Sequence, residues 1–429
     1  MLGMDNIAKD STTGDWPMIA AQLPSGWEDL AVEMGVVYTK FPAHMGTKVT
    51  EAAHLLQPIL YQVATNSSLA VTVAMAAAAG VIKMSAVGLH KRMRTIGPYL
   101  ARLVTLMTDA EASFAAERWA GYDVVIVDGS SVSRPGAEGT TARVHYALRL
   151  STLRPVQIEV TDDKGGETFR NFDAEAGQLW MGDRGYSNPP GIAAIMAADA
   201  DVLVRYNRGS LPLYGMNGQL LDVQRMLARL KHPGVAREWY AEVHPQGGKA
   251  IAGRLCALLL PPDKAEEARQ RARREQGPSV TEETLAAAQY VVVFTTVPRS
   301  RLTAALVMEL YGLRWQIELH IKRDKSIAGL DRLPNFRNDT VYSWICAKML
   351  LTQIARKLAT PNVAIPPCGE LDWFGIRRAA ERRQGRTHTI KAPGRSRAMA
   401  SHDRPLANRM RGAHADQRQS VSRFLAGIP

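Results

Sequence analysis

Three carboxylates set among cations carry the chemistry open to this sequence. Asp128 closes the apolar run Val124-Val-Ile-Val and precedes Gly129, while Asp183 follows Leu179-Trp-Met-Gly and opens Asp183-Arg184-Gly185-Tyr186. Glu318 closes Tyr311-Gly-Leu-Arg314-Trp-Gln-Ile-Glu318, and Lys325 follows further along the same segment. Cleavage of a phosphodiester by two metal ions needs carboxylates from separate elements converging on Mg²⁺ or Mn²⁺ ions about 3.5–4 Å apart. Oxygen ligands suit such hard ions, and no cluster of His or Cys competes for the role. Asp128, Asp183 and Glu318 are therefore expected as one divalent-metal site that cuts a phosphate backbone.

Each of these residues has a plainer explanation when taken alone. An Asp before Gly at the end of a strand is commonly a turn residue. Arg314 and Glu318 are spaced for an i,i+4 ion pair on a surface helix, worth only about 0.2–0.5 kcal/mol. That pair leaves Tyr311 and Lys325 unexplained. At about 100° per residue, Tyr311, Arg314, Glu318 and Lys325 fall within an arc of about 60° on one helical face. Leu306, Leu310, Leu313, Ile317 and Ile321 form the neighbouring stripe, which would pack the helix on a sheet and bring Glu318 to the rim of a buried face.

The elements that must position these groups follow from the periodicity. Up to about residue 118 the patterns are helical: Trp27 to Met34, Glu51 to Gln62, Ser68 to Gly80 and Ser85 to Met107. Leu69 to Ala79, a break at Gly80, and a second helix capped by Ser85 and bearing Lys91, Arg92 and Arg94 have the layout of a helix-turn-helix. Two packed helices with a solvated basic face would read the same way. From Gly121 the period changes to two, with strands expected at Asp123–Val127, Ala142–Leu150, Pro155–Thr161, Gln178–Gly182 and Asp201–Tyr206, and a helix at Pro189–Ala198. That order predicts an α/β, ribonuclease H-like catalytic domain, a mixed sheet flanked by helices. Residues 207–298, with glycine-rich turns and strand-like stretches at Arg237–Val243, Ala250–Leu260 and Tyr290–Thr296, are expected as a β-rich insertion containing one charged helix. Helices return at Arg301–Leu330 and Asn338–Leu358.

Composition narrows the partners. The chain has 429 residues, 46% of them hydrophobic, enough for two or three packed units. Its 53 Lys and Arg against 41 Asp and Glu give a net charge of +12, which favours a polyanion such as nucleic acid or an anionic membrane. The longest apolar run, Ser68 to Ile82, falls short of the about 20 residues a spanning helix needs, and the first residues have no secretory pattern; a cytoplasmic protein is expected. Cys256, Cys346 and Cys368 are too scattered for a disulfide framework or a zinc site. Residues 361–429 form a basic tail, with nine Lys or Arg against two Asp from residue 386 on, expected to stay disordered until it meets nucleic acid.

The spacing of Tyr311, Arg314, Glu318 and Lys325 resembles the signature of the large fourth insertion-sequence family of bacterial DDE transposases. Trp315, Ile317, Asp128-Gly and Asp183-Arg-Gly-Tyr fit the same pattern, as do the 134 residues between Asp183 and Glu318. The resemblance covers about residues 60 to 358, and the family-like pattern stops near Leu358. It implies Asp128, Asp183 and Glu318 as metal ligands, with Tyr311, Arg314 and Lys325 holding phosphates and Arg184 beside them. It also implies that an aromatic residue opening the last insertion strand stacks on a flipped base. Tyr290 stands in that place where the family usually has Trp; a core tyrosine fits the position as well, and Trp239 is a weaker candidate. The implied activity is cut-and-paste DNA transposition with two Mg²⁺ ions, which Mn²⁺ can replace. The partners would be double-stranded DNA, as terminal inverted repeats and target, and a second copy of the chain in a homodimer. An inactive or domesticated DNA-binding descendant is the alternative.

The implied organisation is a helical, DNA-binding 1–118, a catalytic domain of 119–206 and 299–360, the insertion 207–298, and the tail 361–429.

Overall fold

The structure is a computed structural model and describes residues 16–37, 49–108, 119–334 and 338–359. The basic tail expected at 361–429 and Cys368 lie outside the described residues. Six helices among the described residues precede the first strand: α1 (Trp16–Ala20), α2 (Trp27–Glu33), α3 (Ala53–Thr65), α4 (Leu69–Ala78), α5 (Ala86–Met93) and α6 (Gly97–Met107). Ser68 and Ser85 cap α4 and α5 through hydroxyls that accept from the N–H groups of Val71 and Gly88, satisfying donors that the first turn leaves open. The single helix expected over Ser85–Met107 is instead two. Pro98 cannot donate to a helix interior but suits a first turn, so α6 begins afresh at Gly97.

β1 (Asp123–Val132), β2 (Ala142–Arg149) and β3 (Arg154–Asp162) form an antiparallel meander. β4 (Gln178–Gly182) lies parallel to β1, and β5 (Asp201–Arg205) lies parallel to β4 after crossing over through α7 (Pro189–Met196). After α8 (Val223–Leu227), β6 (Arg237–Val243), β7 (Ile251–Leu259), α9 (Pro262–Gln276) and α10 (Glu282–Ala288), β8 (Tyr290–Thr295) returns antiparallel to β5. One mixed sheet results, in the order β3-β2-β1-β4-β5-β8-β7-β6. The strands of the expected insertion thus extend this sheet through the pairing of β8 with β5. The described residues end with α11 (Ala304–Gly312), α12 (Trp315–Ala328) and α13 (Asn338–Ala359).

Side chains alternate across a strand, and each face of the sheet has its own core. Val124, Ile126, Leu179, Met181 and Leu203 pack with Ile317 and Ile321 of α12, with Trp344 and Ile345 of α13, and with Leu56 and Tyr99 of α3 and α6. The N-terminal helices therefore share a core with the sheet. The opposite face, with Val125, Val127, Trp180, Val202 and Val204, is covered by Phe169, Tyr186 and Ile192. No helix among the described residues is long and apolar enough to cross a membrane.

Two further boundaries differ from expectation, and both shape the site. β1 does not end at Val127; it continues to Val132, pairing with β2 along Gly129, Ser130 and Ser131 after its pairing with β4 has stopped at Ile126. The helix expected over Arg301–Leu330 is broken at Leu313 and Arg314. There the Arg314 N–H donates to the Tyr311 carbonyl (3.1 Å) and the Ile317 N–H to the Arg314 carbonyl (3.2 Å), the i to i+3 bonding of a tightened turn. Gly312, a poor helix former, stands immediately before the joint.

Candidate active site

Register brings the two aspartates together. β1 and β4 are parallel, with Ile126 opposite Met181. Asp128 and Asp183 each lie two residues beyond that pair, so they stand level and point to the same face as Ile126 and Met181. The same reckoning on β4 and β5, where Gly182 is opposite Val204, puts Arg205 level with Asp183. Three neighbouring strands thus present Asp128, Asp183 and Arg205 in one row. It faces the side of the sheet on which α12 packs through Ile317 and Ile321.

Each aspartate uses one oxygen locally. The Gly129 N–H donates to Asp128 Oδ1 (2.9 Å), and the Gly185 N–H donates to Asp183 Oδ1 (2.8 Å). Burial, first, and the Asp183 carboxylate, second, push Asp128 up to about 7, against the pull of Arg314 and of the Gly129 N–H. Two carboxylates that repel each other at a partly buried strand end suit a cation between them. The remaining donors are oxygens, as hard divalent ions require.

Glu318 lies on α12, one residue past the buried Ile317, and its carboxylate is ion-paired with Arg314. The plain i,i+4 pair is therefore present. Arg314 is more than its partner, since its charge also acts on Tyr311 and on Asp128. Among the described residues, no three His, Cys, Asp or Glu side chains stand close enough to grip one ion in this conformation. The donor chemistry fits a divalent ion that keeps part of its water shell, with Glu318 engaged by Arg314.

Lys325 lies farther along α12 and donates from Nζ to the carbonyl of Ser131 (3.1 Å), on the stretch of β1 beyond Asp128. Arg184 is exposed next to Asp183. Tyr290 is not brought to the row. It opens β8 with the same parity as Val292 and packs partly buried in the opposite core, and its carbonyl, not its ring, reaches the row by accepting from Arg205 Nη2 (3.1 Å). Trp239 packs in that core too. Lys91 and Arg94 are exposed at the end of α5 and just past it, while Arg92 is partly buried and donates to the Val36 carbonyl (3.4 Å).

Two residues of the site escaped the sequence reading. Arg205 is one; burial pulls it down to about 10, with Arg184 and Arg314 adding to the fall and Tyr311 opposing it. It stays charged at neutral pH. Its place as the last residue of an apolar strand, like Asp128 and Asp183 after theirs, was the signal that could have found it. Glu167 is the other, in the loop after β3, where burial and then Asp183 raise its carboxyl above the usual range. Nothing in its local sequence marks it.

Strand-end carboxylates of one mixed sheet thus lie beneath a helix that carries a third, with arginines among them. The family described as the transposase DDE domain matches residues 119–353, a span that holds Asp128, Asp183 and Glu318, and the chain belongs to it. Domains of this family generally depend on divalent metal. The chain is 30% identical over 329 residues to the transposase for insertion sequence element IS421 of Escherichia coli, covering 75% of this chain and 88% of that one. It is equally similar, at 30% over 328 residues and with the same coverage, to the putative transposases InsL of insertion sequence elements IS186A and IS186B of Escherichia coli strain K12. This chain is accordingly a DNA transposase of the insertion-sequence type.

Proposed function

We propose that the chain excises an insertion sequence by cutting both strands at its ends, through a hairpin, and joins the freed 3′ ends to target DNA, with Asp128, Asp183 and Glu318 as its catalytic carboxylates. The reading places it in the Tyr-Arg-Glu-Lys family, on a ribonuclease H-like fold, in the cytoplasm. The observation that carries it is the register that sets Asp128 level with Asp183 beneath the helix bearing Glu318. Asp128, Asp183 and Glu318 would hold two Mg²⁺ ions, for which Mn²⁺ can substitute. When bound, such ions lower the pKa of water and stabilise charge on a phosphoryl group.

The chain's own groups prepare the site for that chemistry. Arg205 and Arg314 stand at its inner side and Arg184 at its rim, a set of guanidinium forks suited to phosphate oxygens. A backbone phosphate arriving there competes with Glu318 for Arg314 and releases the Glu318 carboxylate toward the two aspartates. Tyr311, close enough to feel the charge of Arg314, would steady it while this exchange takes place. Lys325, anchored on β1, and Lys91, Arg92 and Arg94 on the N-terminal helices extend the basic track for double-stranded DNA, where such contacts position the duplex. Joining two ends calls for two copies of the chain, each serving one.

The test is Glu318→Gln on a linear duplex carrying the element's terminal inverted repeats, in Mg²⁺. Strand cleavage is expected to fall by about a thousandfold or more, the equivalent of about 4 kcal/mol, with binding to the duplex retained. Cleavage at the wild-type rate would overturn the assignment.

A further inference from the structure

Glu167 lies between the two turns that carry the aspartates. A methyl group placed on Gly129 would stand 2.9 Å from Glu167 Oε1, and one placed on Gly185 would overlap Oε2. The carboxylate is thus laid against the backbone of both glycines, the one directly after Asp128 and the one whose N–H holds Asp183. Both positions must be glycine for it to lie there. Among the described residues the Glu167 carboxylate takes no hydrogen bond or ion pair, and Arg143 is the cation whose charge partly offsets it. Carboxylates held close to one another repel, and a cation joining them would offset that repulsion.

We infer that Glu167 is a positioning residue of the metal site, receiving hydrogen bonds from the water shell of a divalent cation held by Asp128 and Asp183. The inference rests on the reading of those two aspartates as metal-holding groups. Hard divalent ions dehydrate reluctantly, so a carboxylate that stands back from the ion still orients it through water. Carboxylates in that outer position tune metal affinity by about 10–100-fold. The two glycines supply the room: Gly129 and Gly185 leave the gap, and Glu167 fills it with charge. A packing role would need only the size of the side chain, whereas the role inferred here needs its charge.

Glu167→Gln keeps the size and removes the charge. Mn²⁺ binding to the full chain without DNA, followed by the electron paramagnetic resonance signal of the free ion, is expected to weaken by about tenfold or more in this variant. Its metal-free Tm should be no lower than that of the wild type. Wild-type Mn²⁺ affinity in Glu167→Gln would overturn the inference. Wild-type affinity in Asp128→Asn would instead overturn the reading of the aspartates on which it rests. Should Glu167→Gln fail to fold, the wild-type chain decides alone: Fe²⁺ bound in place of Mn²⁺, with ascorbate and peroxide, is expected to cut the backbone near Asp128, Glu167 and Asp183. Cuts near the two aspartates without one near Glu167 would likewise overturn it.

Discussion

On one face of the sheet, β1, β4 and β5 present Asp128, Asp183 and Arg205; on the other, one residue earlier, they carry Val127, Gly182 and Val204 beneath Phe169 and Tyr186. The first face is charged and partly open, and the second is closed. A Cβ on Gly182 would stand 2.7 Å from the Tyr186 Cβ, so the turn after β4 is pressed onto an aromatic floor made by Phe169, Tyr186 and Trp180, whose rings meet edge-on or tilted. The pleat separates two tasks. Like charges held level on adjacent strands push the strand ends apart, and the dense packing directly behind them holds those ends in place. Dense packing is concentrated on one face and the charged row on the other, with a single residue of offset between them.

The largest effect that could break this division is on the closed face. Trp180 is fully buried and donates from Nε1 to Gln178 Oε1 (2.8 Å). Trp180→Ala is expected to lower folding stability by about 3–5 kcal/mol, whereas Asp183→Asn, on the same strand, should change it by less than about 1 kcal/mol. Urea unfolding of the two variants checks both. Equal losses would mean that the charged face is structural too.

A smaller effect tests where the charged row ends. Arg205→Lys keeps the charge but loses the planar fork that reaches the Tyr290 carbonyl and the site together. Binding to element-end DNA at fixed salt is expected to weaken by about tenfold, or 1.4 kcal/mol, with little change in Tm. Unchanged binding in a gel-shift titration would confine the row to the two aspartates.

The smallest is a dependence on pH. Asp128 titrates at about 7 in the folded chain against an ordinary value of 3.8, so between these values the folded state holds more protons than the unfolded one. Stability contributed by this group therefore falls as pH rises through that window. Metal-free wild type should lose stability relative to Asp128→Asn from acid to neutral pH in parallel urea titrations. A flat difference would show that Asp128 ionises as freely as an exposed aspartate.

Much of the candidate site was legible because its members sit at points that local patterns mark. Asp128 and Asp183 follow apolar, β-branched or aromatic runs, and Glu318 adjoins a helical stripe whose Ile317 and Ile321 are buried as the period requires. The joint at Arg314 was not legible, because one glycine, Gly312, in an otherwise uniform helical period lowers helix propensity without fixing a break. Glu167 was not legible either; a polar loop next to Gly165 and Gly166 reads as solvent-exposed. Tyr290 was placed correctly at the start of a strand, yet its ring falls on the face away from the aspartates, since a one-residue change in parity reverses a side chain.

The sequence by itself determined most of the strands and helices, the carboxylates near their ends and the basic character that calls for a polyanion, all of which follow from periods and charges within a few residues. Only the tertiary structure decided that β1, β4 and β5 align so that Asp128, Asp183 and Arg205 share a row, that Glu167 lies against Gly129 and Gly185, and that Arg314 holds Glu318. Those relations depend on pairing register and packing between segments far apart in the chain, where the winning arrangement is the one that buries both faces of the sheet at once.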